Sequence, residues 1–331
     1  MAQTQLSNLA GMFASSTFGD IINAKFTEKL ELMNSLAQEG AVQPTNMGGQ
    51  ILNQPYYDFP TDDDEVITAN TNVTINPITG FVSSAPWLER QIGFGAEDII
   101  NTVVRNGMTP QESIAQRIAD KGASMVHKAM MNTTIGCFGA ANMTTHIYDL
   151  DNANTISHTG VMDAKTLIGD NSSELEYIVM NSKVFNDASK SFATTYDTQD
   201  KQGFKTGAIT TFAGLIPKQT DLLIAVNNIY PSFIGKKGSI QYKFRPRVSA
   251  NLTNANKFQS GNFEIELARD AKLGGGTDMI IIRYSVCILV EGLKWNVTTT
   301  SPTNAVLATG ANWTKSATDN KLIKLIAYGS K

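Results

Sequence analysis

Apolar side chains recur every three or four positions in residues 19–38, which predicts an amphipathic helix near the start of the chain. The repeating positions are Ile22, Phe26, Leu30, Met33 and Ala37. Gly40 follows as a typical stop signal. The pattern predicts one face that packs against the rest of the protein.

A longer helix is predicted over residues 110–137. Thr109 is a suitable N-cap, Pro110 takes the first helical position, and Glu112 completes a capping box. The apolar positions that predict its buried face are Ile114, Ile118, Met125 and Ala129. At 1.5 Å per residue the helix would be about 40 Å long. Gly122 inside it indicates the close approach of another backbone.

The segment between these helices contains β-forming residues but few apolar residues in alternation. Residues 48–80 are GGQILNQPYYDFPTDDDEVITANTNVTINPITG, which predicts the two extended arms of a hairpin. Pro55, Pro60 and Pro77 favour edge strands over central ones. We expect this hairpin to bury little surface within its own subunit and to be marginal alone.

Four consecutive acids lie within the hairpin: Asp62, Asp63, Asp64 and Glu65. Carboxylates are ligands for hard cations, but the alternating spacing of a calcium loop is missing. Adjacent side chains on an extended chain also point to opposite faces. Two other interpretations stay open, a solvated acidic tip and a tip that pairs with basic groups of another subunit.

Strand-like runs dominate the second half of the chain. The clearest are AITTFAGLIPKQTDLLIAV, SIQYKFRPRV, NFEIELARDAK and DMIIIRYSVCILVEGLKWNV. LGGGT, between the last two, can turn a hairpin or carry a flexible crossing. It lacks the lysine of a phosphate-binding loop. Short helices and strands alternate around these runs, which predicts an α+β protein without internal repeats.

Composition narrows the function classes. Of 331 residues 42% are hydrophobic and 17% charged, so a core can form beneath a weakly charged surface. Such a surface fits a protein that is largely covered by copies of itself. The net charge of −3 argues against a dedicated nucleic-acid binder, which would show a basic patch. The clearest basic stretches are residues 234–247 and the C-terminal KLIKLIAYGSK.

Candidate chemistry is sparse. His127 stands alone in the long helix, and His146 and His158 are expected in a polar loop, so we predict no metal site. No nucleophile elbow, P-loop or zinc-protease motif is present, so we predict neither an enzyme nor a cofactor. Cys137 and Cys287 indicate buried thiols of a reducing compartment. We expect no signal peptide and no membrane span.

In sequence order, these segments resemble the major capsid proteins of tailed phages that have the Hong Kong 97-type fold. The first half carries FTEKLELMNSLAQEGAV, GGQILNQPYYDFPTDDDEVI and TPQESIAQRIADKGASMVHKAMMNTTIGCFG. The second half carries MDAKTLIGDNSSELEYIVMNSKVFNDASK, ITTFAGLIP, FEIELARDAKLGGGTDMIIIRY, EGLKW and SPTNAVLATGANW. Asn181 stands where the family more often has histidine, and Val290-Glu291 where a His-Pro pair is common. The resemblance spans roughly residues 20–325.

This resemblance implies a division of the chain into named parts. They are an N-terminal arm and helix over residues 1–45, an extended loop over 46–95, a peripheral domain over 96–174 with the spine helix over 110–137, an axial domain over 175–260, and the closing strands of the peripheral domain over 261–331. The axial domain would point towards the centre of each hexamer or pentamer.

The resemblance also implies the function of the loop. An arm with little core of its own would reach a neighbouring subunit, so the candidate contacts there are Tyr56, Tyr57, Phe59, Asp62, Asp63, Asp64 and Glu65. The candidate basic contacts are Lys236, Lys237, Arg245 and Arg247, and Gly122 is a candidate hinge of the spine helix.

The expected function is that of a shell protein, assembled as hexamers and pentamers of an icosahedral capsid. We expect it in the virion, and in the host cytoplasm during assembly, with scaffolding and portal proteins and non-specifically contacted DNA as partners. The alternatives are an encapsulin-like nanocompartment shell and a phage tail or baseplate protein.

Overall fold

The computed structural model describes the following part of the chain: residues 24–25, 28, 36–39, 50–57, 80–95, 110–141, 143–149, 154–196, 211–225, 228–245, 257–260, 263–270, 277–299 and 301–331. Within it, the protein forms a nine-stranded sheet, a five-stranded sheet and one long helix with shorter helices. This arrangement confirms the α+β class.

The strands belong to two separate sheets. The nine-stranded sheet contains β1 (Ala37–Glu39), β2 (Ile51–Tyr57), β3 (Gly80–Gly95), β8 (Ile240–Arg245), β9 (Lys257–Ser260), β10 (Phe263–Asp270), β11 (Thr277–Val290), β12 (Leu293–Trp295) and β13 (Trp313–Lys315). The five-stranded sheet contains β4 (Ile147–Tyr148), β5 (Tyr177–Met180), β6 (Ile216–Gln219), β7 (Tyr230–Gly235) and β14 (Leu325–Ser330).

The helices lie between and beside these strands. The α-helices are α1 (Pro110–Phe138), α2 (His158–Lys165), α3 (Ser182–Tyr196) and α4 (Asn304–Leu307). Short 3₁₀ helices span Thr144–His146, Thr166–Glu174, Gly310–Asn312 and Asn320–Leu322. We call α1 the spine helix. It covers the range that the capping pattern predicts, although its N-cap Thr109 lies outside the described residues.

Strand β11 is central to the large sheet. It pairs antiparallel with β3 along one edge, and with β10 and then β8 along the other. Residues 284–290 are all buried, as a continuous apolar strand covered on both faces should be. Because Asp270 pairs with Thr277, β10 and β11 form a hairpin across the LGGGT stretch, the first of the two alternatives.

The five-stranded sheet has a second hydrophobic core beneath it. Its strand order is β4-β14-β7-β5-β6, with β14 and β7 antiparallel and β5 and β6 parallel. Val161 of α2, Ile178 of β5, Val184 of α3, Phe212 and Tyr328 of β14 are all buried in this core. Three of its strands come from residues 175–260, but β4 and β14 come from outside that range. The predicted axial and peripheral division therefore stays a prediction.

The buried face of the spine helix differs from the predicted one. Ile118 and Ala129 are buried as predicted, but Met125 is 43% exposed, so the assignment of Met125 to that face is wrong. The buried face is instead centred on Ala119, Ala123 and Val126, about a third of a turn away. Small residues at the centre allow close packing, whereas the prediction followed the larger apolar side chains.

Two glycines, Gly136 and Gly139, allow the end of the spine helix to pack closely against the C-terminal region. A Cβ at Gly136 would lie 1.9 Å from the carbonyl oxygen of Leu307, and one at Gly139 would lie 2.8 Å from the Cα of Gly310. The Trp313 indole Nε1–H donates to the same Leu307 carbonyl at 2.8 Å. The backbones can approach this closely because the helix carries no side chain at these positions.

The helix predicted over residues 19–38 is wrong at its C-terminal end. Residues 24, 25 and 28 are helical, but Ala37–Glu39 forms β1 and pairs parallel with β8. The buried Leu36 offers its carbonyl oxygen to the N–H groups of Gly238 at 2.9 Å and Ile240 at 3.2 Å. Pairing with β8 in this way satisfies backbone groups that would otherwise be buried without partners.

Candidate inter-subunit contact surfaces

The described part of the predicted loop is a two-stranded stem. Strands β2 and β3 pair antiparallel from Ile51 opposite Pro86 to Tyr57 opposite Gly80. Among the described residues β2 pairs with β3 alone, as Pro55 predicts for an edge strand. The intervening residues 58–79 lie outside the described residues.

The base of the stem belongs to the subunit's own core. Leu52 and Ala85 are buried there, and Trp87 continues β3 into the ladder with β11. The expectation that the hairpin buries little within its own subunit is therefore wrong for its base. The physical reason is that β3 is 16 residues long and serves both as an arm of the hairpin and as a central strand.

The Arg245 side chain packs against the base of the stem and forms polar contacts there. The Arg245 guanidinium lies 4.7 Å from the centre of the Trp87 ring, and its Nε–H donates to Ser285 Oγ at 3.0 Å. Its Nη2 also pairs with Glu89 Oε1 at 3.3 Å. The structure thus places Arg245, a predicted basic contact, within the packing of its own subunit.

Tyr56 packs inwards from the stem. Its ring stacks on Phe81 directly across the strand pair, with centroids 5.3 Å apart and an interplanar angle of 15°. Burial raises the pKa of the phenol, and the negative charge of Glu291 adds to this shift. The structure therefore gives Tyr56 a contact within the subunit, while its predicted inter-subunit contact stays a prediction.

The next residue points the other way. Tyr57 is 82% exposed, and Val82 on the facing strand is 42% exposed. Pro55 lies opposite Val82 and is exposed on the same face as Tyr57, because side chains alternate along a strand. We call Pro55, Tyr57 and Val82 the outer face of the stem. Sequence analysis found Tyr57 but missed the other two, although alternation from Tyr57 would have indicated Pro55.

Several predicted contacts cannot be placed. Phe59, Asp62, Asp63, Asp64, Glu65 and Arg247 lie outside the described residues. Gly122 is buried within an uninterrupted spine helix.

Lys236 takes part in an ionic cluster within the subunit. Its Nζ lies 2.7 Å from Glu174 Oε2, and Lys324 Nζ lies 2.6 Å from the same oxygen. Hydrogen bonds from Lys236 and then Lys324 lower the pKa of Glu174 to about 2, and the same bond raises the pKa of Lys236. Lys237, by contrast, is exposed beside the turn at Gly238.

The histidines have structural positions. His146 is fully buried in a 3₁₀ helix and donates from Nε2 to the Asn320 carbonyl at 3.0 Å, and His158 begins α2, so the loop predicted for both is wrong. His127 is buried in the spine helix with Nε2 3.3 Å from Thr220 Oγ1. Burial lowers its pKa to about 4. No group of three or more metal-ligating side chains occurs among the described residues.

Comparison with known proteins identifies the family. The profile of the Gp13-like family, described as major capsid protein 13-like, matches residues 61–217 and 277–323, more than half of the chain. The chain belongs to this family of major capsid proteins. The matched ranges include β3 of the stem, the spine helix and the strands β11, β12 and β13.

Relatives of this capsid protein include the major capsid protein of Bacillus phage SPP1, with 24% identity over 306 residues that cover 89% of this chain and 86% of the relative. The capsid structure of cyanophage P-SCSP1u superposes with a TM-score of 0.50 and 10% identity, and covers 92% of this chain and 88% of that one. The cyanophage Pam1 capsid asymmetric unit gives a TM-score of 0.47 and 12% identity over 91% and 89% of the two chains.

The family match decides between the three functions considered. The protein is a major capsid protein of a tailed phage, with the Hong Kong 97-type capsid fold, rather than a nanocompartment shell or a tail protein. Its family is one of structural virion proteins. Among the described residues, no helix has both the length and the apolar character that a membrane span requires.

Proposed function

We propose that this capsid protein assembles into hexamers and pentamers of an icosahedral shell that encloses double-stranded DNA. Rings of five and six close by rotation, so one surface of each subunit must fit a different surface of the next. Weak contacts repeated many times make such a shell durable. The host cytoplasm is the proposed place of assembly, with scaffolding and portal proteins as further partners.

The outer face of the stem is the observation that carries this proposal. A tyrosine that is 82% exposed, on the same face as an exposed proline and valine, forms an exposed apolar surface on the stem. Burying one aromatic side chain on a neighbour contributes about 2–3 kcal/mol. We infer that the outer end of the extended loop, residues 46–95, reaches the next subunit and buries this face there, while the base stays in its own subunit.

Each segment of the chain has a proposed role in the shell. The N-terminal arm, residues 1–45, and the loop would join subunits, and residues 175–260 would form the axial domain around each ring centre. The peripheral domain would contain the spine helix, with Gly122 as the position that flexes during shell expansion. Ile178, Val184 and Phe212 of the core beneath the five-stranded sheet come from residues 175–260, which supports the axial assignment.

The test compares two substitutions on the same face of β2. Tyr57→Ser removes the exposed aromatic ring, whereas Asn53→Ser changes an exposed polar residue of the same strand and serves as the matched control. We expect Tyr57→Ser to abolish closed shells in electron micrographs while the unassembled protein unfolds at the wild-type denaturant concentration. Asn53→Ser should assemble normally.

Normal shells from Tyr57→Ser would contradict the proposed loop contact. A small, uniform particle from the wild-type protein, even when it is co-expressed with the neighbouring viral genes, would contradict shell assembly itself.

A further inference from the structure

The exposed face of the spine helix is positively charged. From residue 116 onwards, where its side chains are described, the exposed charged residues are Arg117, Lys121 and Lys128. Asp120 is half-buried at the side of this face. The chain as a whole carries a net charge of −3, so three cations on one helix face are a local concentration. We call these three residues the basic stripe.

Helix geometry aligns the basic stripe. At 3.6 residues per turn, positions 117, 121 and 128 fall within about 40° of one another around the axis. At 1.5 Å per residue they are separated by about 6 Å and about 10 Å along it. Three cations thus form a line almost parallel to the helix axis.

The stripe is held on a rigid support. The opposite face of the helix is buried through Ala119, Ala123, Val126 and Met130. Close backbone contacts at Gly136 fix the C-terminal end of the helix. A rigid row of cations loses little backbone entropy when it contacts a charged partner.

We propose that the basic stripe faces the inside of the shell and contacts the phosphate backbone of the enclosed DNA. This inference rests on the proposed function, because only a shell that encloses DNA offers this partner. Double-stranded DNA carries one negative charge per about 1.7 Å of its axis, so a line of cations on a helix is complementary to it without sequence recognition.

The composition of this face favours phosphate over a neighbouring subunit. Ser124 lies beside the three cations. Among the helix residues described from 116 onwards, Met125 is the one exposed large apolar side chain, at 43% exposure, and Ile135 is half-buried in line with the stripe. Protein interfaces are enriched in aromatic residues, Met and Arg and depleted in Lys and Ser. This face has two lysines and a serine against one arginine and one methionine, which favours phosphate. The rival occupant is the acidic tip, Asp62 to Glu65, of another copy.

With only three cations per subunit, the contact of each subunit with DNA is weak, so the DNA can still move during packaging. Each phosphate contact contributes only weakly and is screened by salt, but many copies of the stripe would line the shell. A continuous basic wall would hold DNA tightly from its first contact.

The first test is a DNA titration of the unassembled protein, separated from particles by gel filtration. A short fluorescent duplex is the probe, and binding is measured over a range of sodium chloride concentrations. The test variant carries Arg117→Gln, Lys121→Gln and Lys128→Gln. The matched control carries Lys183→Gln, Lys294→Gln and Lys331→Gln, which removes the same charge from exposed positions elsewhere.

We expect the stripe variant to bind DNA more weakly than the control. The slope of log affinity against log salt should fall by about 0.9 for each lost phosphate contact, or about 3 in total. A variant with Lys121→Arg and Lys128→Arg should keep the wild-type slope. Equal slopes for the stripe variant and the control would overturn the proposal, whether or not shells form.

The second test determines which side of the shell the stripe faces. Lys128→Cys introduces an exposed thiol, and the native Cys137 and Cys287 are buried. A maleimide carrying a bulky polyethylene glycol should modify this thiol in unassembled protein but not in closed shells. Equal modification in both states would overturn the proposal.

The rival occupant gives a different result. If the stripe variant forms no shells and keeps its DNA affinity, the stripe binds the acidic tip of a neighbour and the proposal is wrong. Failure of the wild-type protein to form shells would instead contradict the proposed function, while the DNA titration would still test the stripe.

Discussion

The two ends of the stem differ in what they pack against. At the base, Trp87 is covered by β11 and the Arg245 guanidinium. Towards the outer end, Val82 lies five positions before Trp87 on β3, and both Val82 and Tyr57 on the facing strand are exposed. One strand pair thus carries the core of its own subunit and, on our proposal, the contact surface of another. Changes at the base should affect folding, and changes at the outer end should affect assembly.

The largest expected effect comes from the base. Trp87→Ala should lower the free energy of unfolding by about 3–5 kcal/mol, because it leaves a cavity beneath a central strand. Urea denaturation of the unassembled protein measures this loss. A loss as small as that of Tyr57→Ser would contradict the distinction between the two ends.

A pH effect of intermediate size should arise away from the stem. The pKa of His127 is lowered to about 4 by burial, whereas an unfolded histidine titrates near 6.5. Below pH 6.5 the unfolded chain binds a proton that the folded chain does not, so stability should fall as the pH drops from 6.5 to about 4. The shift sets an upper limit of about 3 kcal/mol.

His127→Gln should reduce this pH dependence, since glutamine does not titrate and can still bond to Thr220. Denaturation at pH 7 and at about pH 4.5 gives the comparison. An unchanged difference between the two pH values would show that His127 does not cause the acid sensitivity. Tyr57→Ser should lose as much stability between the two pH values as the wild type does, because the outer face of the stem does not include His127.

A smaller effect is expected on the inner face of the stem. Tyr56→Leu removes the stack on Phe81 and should cost about 1 kcal/mol, whereas Tyr56→Phe keeps the ring and should cost less. Thermal unfolding of both variants measures the difference. Equal destabilisation would assign the effect to the hydroxyl group instead of the stack.

The smallest effect on stability is expected at the outer face. Val82→Thr preserves the β-branched shape at an exposed position and should change the free energy of unfolding by less than about 0.5 kcal/mol. It should still reduce the yield of shells, though less than Tyr57→Ser, because it removes less apolar surface. A wild-type yield of shells from Val82→Thr would show that Val82 takes no part in the inter-subunit contact and that Tyr57 carries it.

Local signals in the sequence predicted the spine helix and the edge position of β2, and gave the β10–β11 hairpin as one of two alternatives for LGGGT. Proline, glycine and capping residues act on their own neighbourhood, so the pattern is sufficient there. The strand at Ala37–Glu39 was missed because its partner β8 lies some 200 residues later, and pairing at that separation leaves no local pattern.

The candidate surfaces were harder to predict for the same reason. Tyr56 and Tyr57 are adjacent residues of the same type, so their sequence does not distinguish them. The pairing of β2 with β3 decides that Tyr56 stacks inwards while Tyr57 is exposed. Lys236 and Arg245 looked like free basic contacts, but Glu174 and Glu89 reach them from distant segments. Sequence showed the charges, and only the fold showed their partners.

The most direct measurement is a cryo-electron microscopy map of the assembled shell. Our account predicts that Pro55, Tyr57 and Val82 are covered by an adjacent subunit, while Trp87 is buried within its own. A shell in which Tyr57 faces solvent in every ring position would contradict the central claim that this stem joins neighbouring subunits.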